Sequence, residues 1–517
     1  MLLVSEVKTC GIRGVRGFVI DVETYIAAGI PDFEMVGLGD KAVHEAKQRV
    51  KAALINQGFA FPLGRIIMNL APSAVRKEGT SMDLALSIGI LSAQGLIEGR
   101  RLKNTGFIGE LSLDGTLRPV NGVLPMLAAG VKRGLRRFVV PAENLQEAVL
   151  QCGIAVFPAI QLRQVFHVLT QEGAEQDWIV TDRTQQSFPA EAYSENDEDF
   201  NQVAGQSAAK RVLEIAASGG HNVMLLGDAG CGKTMLAKRF PGILPPMTYD
   251  EAYEVTSIYS VAGMLPQGCR LVRRRPFRAL HSGVTAAGLV GGGRPAVPGE
   301  ISLAHHGVLF LDEMTEMDRR VLDSLRQPLE AGHAVISRLG TAEIFPAEFI
   351  LIGAANPCRC GKLFEGNGKC TCTPLQVHAY LTRISRPIAD RIDLHLPVRR
   401  VPFRDITAPR GEASSEIRAR VIRTRAVQQN RYQKERIRVN AGLTRNMIER
   451  YCAIDGKTKT LLSKAVDTMG FSVRGYEKIL KIARTIADME AREQIQEQDV
   501  AEALQYRWMD MQKADNF

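Results

Sequence analysis

The chain has 517 residues, a net charge of +9 and 23% charged residues, with 45% hydrophobic and 6% aromatic. No apolar run approaches the ~18–20 residues that cross a bilayer, which excludes a membrane-spanning class. Nine cysteines, four of them clustered, suit reduced thiols and a metal site better than a disulfide framework. The opening Met1–Lys8 carries no basic stretch followed by an apolar one, so no signal peptide is expected and the cytoplasm is the expected location. The positive balance favours a polyanionic partner.

Taken in chain order, residues 1–170 alternate strand-like stretches (Gly17–Val22, Arg65–Leu70, Arg137–Val140) with helical ones (Ala42–Gln57, Ser81–Leu91, Leu124–Arg133). That alternation predicts an α/β or α+β unit. Residues 171–199 lose apolar periodicity and end in an acidic run, Glu195, Asp197, Glu198 and Asp199, which predicts an exposed linker. Residues 200–400 alternate helical, strand and glycine-rich segments, as in a doubly wound parallel α/β sheet. Residues 401–517 are helical by pattern, over Ser414–Lys434, Thr444–Tyr451, Thr458–Met469, Arg474–Glu490 and Glu497–Asp510.

The third unit carries the nucleotide chemistry. Gly227-Asp228-Ala229-Gly230-Cys231-Gly232-Lys233-Thr234 matches G-x-x-x-x-G-K-[ST], between an apolar strand (Asn222–Leu226) and a helix (Met235–Phe240). Glycines let backbone N–H groups turn inward around phosphates, and the following helix N-terminus adds partial positive charge. Lys233 is expected on the β- and γ-phosphates of ATP, and Thr234 on Mg²⁺. Val308–Leu311 is an apolar strand ending in Asp312 and Glu313. Asp312 is expected to hold the Mg²⁺ shell and Glu313 to polarise the attacking water. A further strand from Phe349 ends at Asn356, placed to orient that water.

Together these motifs resemble the magnesium-chelatase-like AAA+ family, most closely its ComM (YifB-like) branch. Residues that carry the likeness are Val203–Gln206, Ala209–Asn222, Pro276–His281, Gly291–Arg294, Pro298–His305 and Ile336–Arg338. The resemblance implies an AAA+ core with a helical lid. It makes Asn356 the sensor-1 residue, Arg391 the arginine finger (with Arg383 and Arg386 nearby) and Arg474 the sensor-2 arginine. It also implies a homohexameric, ATP-driven helicase that promotes branch migration during natural transformation. Arg278, Arg294 and Arg338 are then the expected contacts to a DNA backbone, read without sequence preference. An alternative within the same resemblance is a chelatase-like ATPase that remodels a protein partner.

The first unit resembles the Lon-protease-like domain. Lys77–Leu84 is similar to the segment with the nucleophile, Ser81 standing at the serine position. Gly109–Leu124 is similar to the segment with the catalytic lysine, but that position holds Leu124. A serine without a base is a poor nucleophile, so a protease fold without protease activity is expected. Finally, Cys358, Cys360, Cys370 and Cys372 supply four thiolates that suit tetrahedral Zn²⁺, with His378 a substitute for one of them. The alternative is a set of reduced surface thiols.

Overall fold

The computed structural model describes residues 4–171, 173–181, 198–266, 271–293, 296–338, 341–365, 369–407, 411–507 and 509. Among these, no helix is long and apolar enough to cross a membrane.

An eight-stranded mixed sheet forms the first layer. Its spatial order is Ile179–Val180, Ala155–Ala159, Arg137–Pro141, Thr105–Phe107, Val4–Arg13, Arg16–Ala27, Arg65–Ala71, Asp32–Val36. Val4–Arg13 and Arg16–Ala27 make a long antiparallel hairpin turning at Gly14, whose φ of 61° suits glycine. The helix Asp83–Ala93 is buried along nearly its whole length beneath this hairpin. Gly89 is required there, because a Cβ would lie 2.6 Å from Thr24 Oγ1. Helix Lys41–Asn56 starts at Asp40, whose carboxylate accepts the Val43 N–H at 2.9 Å.

The region read as a linker from Gln171 begins differently. Ile179–Val180 adds an antiparallel edge strand to Ala155–Ala159. Trp178 lies 5.8 Å from Phe157 between ring centroids, and Thr181 Oγ1 donates to the Gln151 carbonyl. Apolar contact and backbone pairing therefore hold this stretch to the sheet, although its periodicity is too short to read. Residues 182–197, which include Glu195 and Asp197, lie outside the described residues.

The second layer is a five-stranded parallel sheet in the order Phe277–Leu280, Val308–Leu311, Ile350–Ala355, Val223–Gly227, Leu394–Val398. Its strands are continuous apolar runs because both faces are covered. Val223, Leu225, Val308, Phe310, Ile350 and Ile352 point into one core, shared with the C-terminal helices. Met224, Leu226, Leu309, Leu311 and Leu351 point into the other.

The C-terminal helices are Ser414–Arg431, Arg445–Tyr451, Gly456–Met469, Val473–Met489 and Glu497–Gln505. The last is shorter than the expected Glu497–Asp510. Its chain leaves the helix so that the Tyr506 carbonyl accepts the His395 N–H at 2.6 Å, and the buried Arg507 donates to the carbonyls of Ile392 and Asp393.

Side-chain contacts tie the first sheet's unit to the second's. Glu147 accepts the Leu124 N–H at 2.7 Å and the Ser260 hydroxyl, so one buried carboxylate joins the helix Val123–Lys132 to the helix Tyr249–Val261. Arg13, at the hairpin tip, reaches Glu343 at 2.8 Å, and a Cβ on Gly14 would lie 3.2 Å from the Ile344 carbonyl.

Candidate nucleotide site

The P-loop joins Val223–Gly227 to the helix Lys233–Arg239. Gly230 and Gly232 take φ of 75° and 97°, conformations that an L side chain resists. Lys233 folds back into the loop. Its Nζ donates to the carbonyls of Gly227 (2.5 Å) and Asp228 (3.1 Å) and to Asn356 Oδ1 (3.2 Å). Thr234 Oγ1 donates to Asp312 Oδ2 at 2.9 Å. Lys233, Thr234, Asp312 and Asn356, drawn from three adjacent strands, thus meet at the carboxyl ends of the sheet, where α/β sheets bind ligands. The expected Mg²⁺ pair and the expected water-orienting residue are brought together. Glu313 is exposed beside them with φ of 50°, its N–H bonded to Asp312 Oδ1 at 2.9 Å. Cys231 is buried, and burial raises its thiol pKa.

Arg391 and Arg474 lie elsewhere. Arg391 precedes Leu394–Val398, which runs parallel to Val223–Gly227 with Leu394 opposite Val223 and Val398 opposite Gly227. The P-loop and Arg391 therefore lie at opposite ends of the strands, about 16 Å apart for five residues of strand. Arg391 donates to Glu330 and to the Pro387 carbonyl, and Arg474 lies 3.7 Å from the same Glu330. Glu330 was invisible to sequence reasoning; nothing in its local pattern distinguishes it. Its carboxyl sits below the usual range because it accepts from Arg391. Arg383 instead pairs with Glu316 at 3.0 Å.

The expected DNA contacts divide. Arg278 lies on the strand Phe277–Leu280 and pairs through two bonds with Glu300 (2.6 and 2.8 Å). Arg294 is outside the described residues. Arg338 ends the hairpin strand His333–Arg338, paired with Thr341, with its side chain outside the described set.

The four cysteines converge. Their sulfurs all lie within 4.8 Å of one another, with Cys358–Cys360, Cys360–Cys370 and Cys358–Cys370 at 3.4, 3.5 and 3.7 Å. Four sulfurs ~2.3 Å from one zinc would be about 3.8 Å apart, so the set fits a tetrahedral ion with little movement. Burial pushes the Cys358 thiol up to about 12, and the hydrogen bond with that thiol pulls Cys360 down to about 6. A second cluster, Glu254, His305 and His306, also has its ligand atoms within 4.8 Å. His305 Nδ1 accepts the Glu348 N–H at 3.0 Å, so in the neutral ring Nε2 carries the proton and donates to Glu254. That nitrogen has no lone pair for a metal.

Leu124, which the Lon-like resemblance would set at the lysine position, is fully buried in an apolar cluster with Met247, Ala252 and Val255.

Fold and site define a P-loop protein of the AAA+ type. Family models agree over three stretches: "Magnesium chelatase, subunit ChlI" over residues 199–406, "Subunit ChlI of Mg-chelatase" over 22–144, and "Magnesium chelatase, subunit ChlI C-terminal" over 411–507. The Competence protein ComM of Haemophilus influenzae is 41% identical over 96% of both chains. The protein YifB of Escherichia coli is 38% identical over 98% of this chain and 97% of its own. The Magnesium-chelatase 38 kDa subunit of Cereibacter sphaeroides is 27% identical over 31% of this chain and 52% of its own. The chain belongs to the ComM/YifB family of magnesium-chelatase-like AAA+ proteins.

Proposed function

We propose that this protein is a ring-forming, ATP-hydrolysing DNA motor of the cytoplasm, a homohexamer that drives branch migration of recombining strands in natural transformation. The observation that carries the reading is the split of the catalytic set between the two ends of the strands of one sheet. Lys233, Thr234, Asp312 and Asn356 meet at the carboxyl ends, whereas Arg391 and Arg474 gather at the amino end. A chain so built completes its nucleotide site with a neighbour's arginines, which calls for a ring.

In this mechanism Lys233 exchanges its bonds to the Gly227 and Asp228 carbonyls for the β- and γ-phosphate oxygens of ATP. Thr234 and Asp312 would hold Mg²⁺, which when bound would supply charge neutralisation to the transferring phosphoryl group. Asn356 orients the attacking water, and Glu313 accepts its proton. Arg391 and Arg474 of each chain leave Glu330 to stabilise the transition state in the adjoining subunit.

DNA contact is assigned to Arg294 and Arg338, with Arg278 serving its pair with Glu300 instead. A basic chain with a relative named for competence supports a DNA partner. The likeness to magnesium-chelatase subunits favours a second reading, a remodelling ATPase acting on a protein. Four thiolates at zinc spacing support a structural Zn²⁺ at Cys358, Cys360, Cys370 and Cys372.

The deciding experiment is the steady-state ATPase rate with and without single-stranded and branched DNA, using Lys233→Ala as the blank. Strong stimulation supports the DNA motor. Healthy basal turnover that no DNA alters moves the assignment to protein remodelling.

A further inference from the structure

We propose that the Cys358–Cys372 knuckle is a zinc-dependent clamp on the P-loop, so that metal occupancy sets the affinity for nucleotide. The proposal rests on the zinc reading above and adds what the metal does. The knuckle leaves the sheet two residues after Asn356 and passes directly over the phosphate loop. A Cβ on Gly361 would lie 3.9 Å from both the N and the Cβ of Ala229. The Phe364 N–H donates to Asp228 Oδ1 at 3.2 Å, and Asp228 is only 2% exposed. The Phe364 ring packs against the core that also holds Leu226, Leu311 and Met314. Asp228 is a variable position of the P-loop motif, and its carboxylate accepts from the knuckle.

At its far end the knuckle is equally engaged. Cys372 leads into Thr373, whose side chain caps the helix Pro374–Leu381. That helix presents the Tyr380 hydroxyl to Thr315 Oγ1 at 2.8 Å, three residues past Asp312. Glu365 meets Arg400 at 2.5 Å, next to Arg399, whose carbonyl accepts from Gln206 at 2.7 Å. The loop thus touches the P-loop and the segment leading out of Leu394–Val398, and the helix it leads into reaches the turn after the acidic pair.

Within Pro357–Thr373 the described residues form neither helix nor strand. What gathers the loop is the four sulfurs. A site of this kind takes its shape from its metal. Losing zinc would therefore release Gly361 and Phe364 from Ala229 and Asp228. The backbone N–H groups of the P-loop would then be held less well for phosphate.

The test measures zinc content and nucleotide affinity separately, on the full chain. Zinc per chain is counted by elemental analysis, and the dissociation constant of a fluorescent ADP is measured before stripping, after chelator treatment and after zinc is returned. One zinc per chain is expected, with affinity falling about tenfold on stripping, the scale of losing a hydrogen bond to a charged group, and recovering on return. Asp228→Ala should keep its zinc, bind the probe weakly from the start and no longer respond to stripping. A zinc-loaded protein whose affinity ignores stripping overturns the clamp and leaves the metal site standing. A chain that purifies and remains without zinc, whatever is added, overturns the site and the clamp together. Reversibility in the wild-type chain keeps the test clear of misfolded cysteine variants.

Discussion

At the scale of single residues, Lys233 and Asp393 show how differently two buried charges are used. Lys233 is satisfied by two carbonyls and an amide oxygen, all neutral, so a polyanion can displace them without breaking an ion pair. Glu313, with φ of 50°, is exposed and can meet water. Glu313→Gln should bind a fluorescent ATP analogue normally while turnover drops about 10²–10⁴-fold, the usual contribution of a general base. Normal turnover in that variant would remove Glu313 from the mechanism. Asp393 does a structural job. Burial alone would raise its pKa, but Lys478 at 2.9 Å and His221 at 3.5 Å hold it well below the usual carboxylate range. Lys481 and Arg507 add positive charge to the same pocket. A depressed folded-state pKa contributes stability that is present above the unfolded value, ~3.9, and lost as pH falls below it. Unfolding midpoints should therefore hold steady from pH 7 to 5 and decline below about 4. Asp393→Asn should be less stable at neutral pH, with its buried lysine unpaired, and should show a shallower acid decline.

Among elements, the helix Arg326–Ala331 decides where two arginines rest. Its Glu330 joins Arg391, just before one strand, to Arg474, at the head of the helix Val473–Met489. Arg391→Ala should cut turnover roughly a thousandfold, within the range of arginine fingers, with nucleotide binding retained. Glu330→Ala should free both guanidinium groups and raise basal turnover when chains are concentrated enough to assemble; an unchanged rate would show that the pair with Glu330 restrains nothing. This junction also marks how far the sequence could be read. Gly227–Thr234 and Val308–Glu313 announced themselves because their chemistry needs contiguous residues at fixed spacing, and the strand and helix around them are strongly patterned. The helices Lys41–Asn56 and Asp83–Ala93 fell within two residues of expectation for the same reason. Glu330 could not be found that way, since its partners lie 61 and 144 positions along the chain and only folding brings them together. The contact of Asp228 with Phe364 was hidden likewise. Val4–Arg13 went unread because polar residues interrupt it, although its full pairing with Arg16–Ala27 makes it a strand. The pairing of Arg278 with Glu300 was hidden too, since 22 positions separate them and the strand Phe277–Leu280 carries no local sign of it.

For the whole molecule, the separation of P-loop and arginines predicts complementation. Lys233→Ala chains keep their arginines and Arg391→Ala chains keep their P-loop. Mixed in equal amounts, the two inactive variants should recover a measurable part of the wild-type ATPase rate, at sites where an intact P-loop faces an intact arginine. No recovery after verified co-assembly would mean that each chain completes its own site. The tip of the first hairpin carries a different consequence. Arg13 pairs with Glu343, and Val15 sits against the core beside Ile336 and Phe345, on the hairpin that ends in Arg338. Parting Glu343 from Arg13 would also part the hairpin from Val15, so its posture is set by two bodies and not by its own strands alone. The N-terminal sheet then acts as ballast: a chain without it would keep the hairpin but lose the contacts that set its posture.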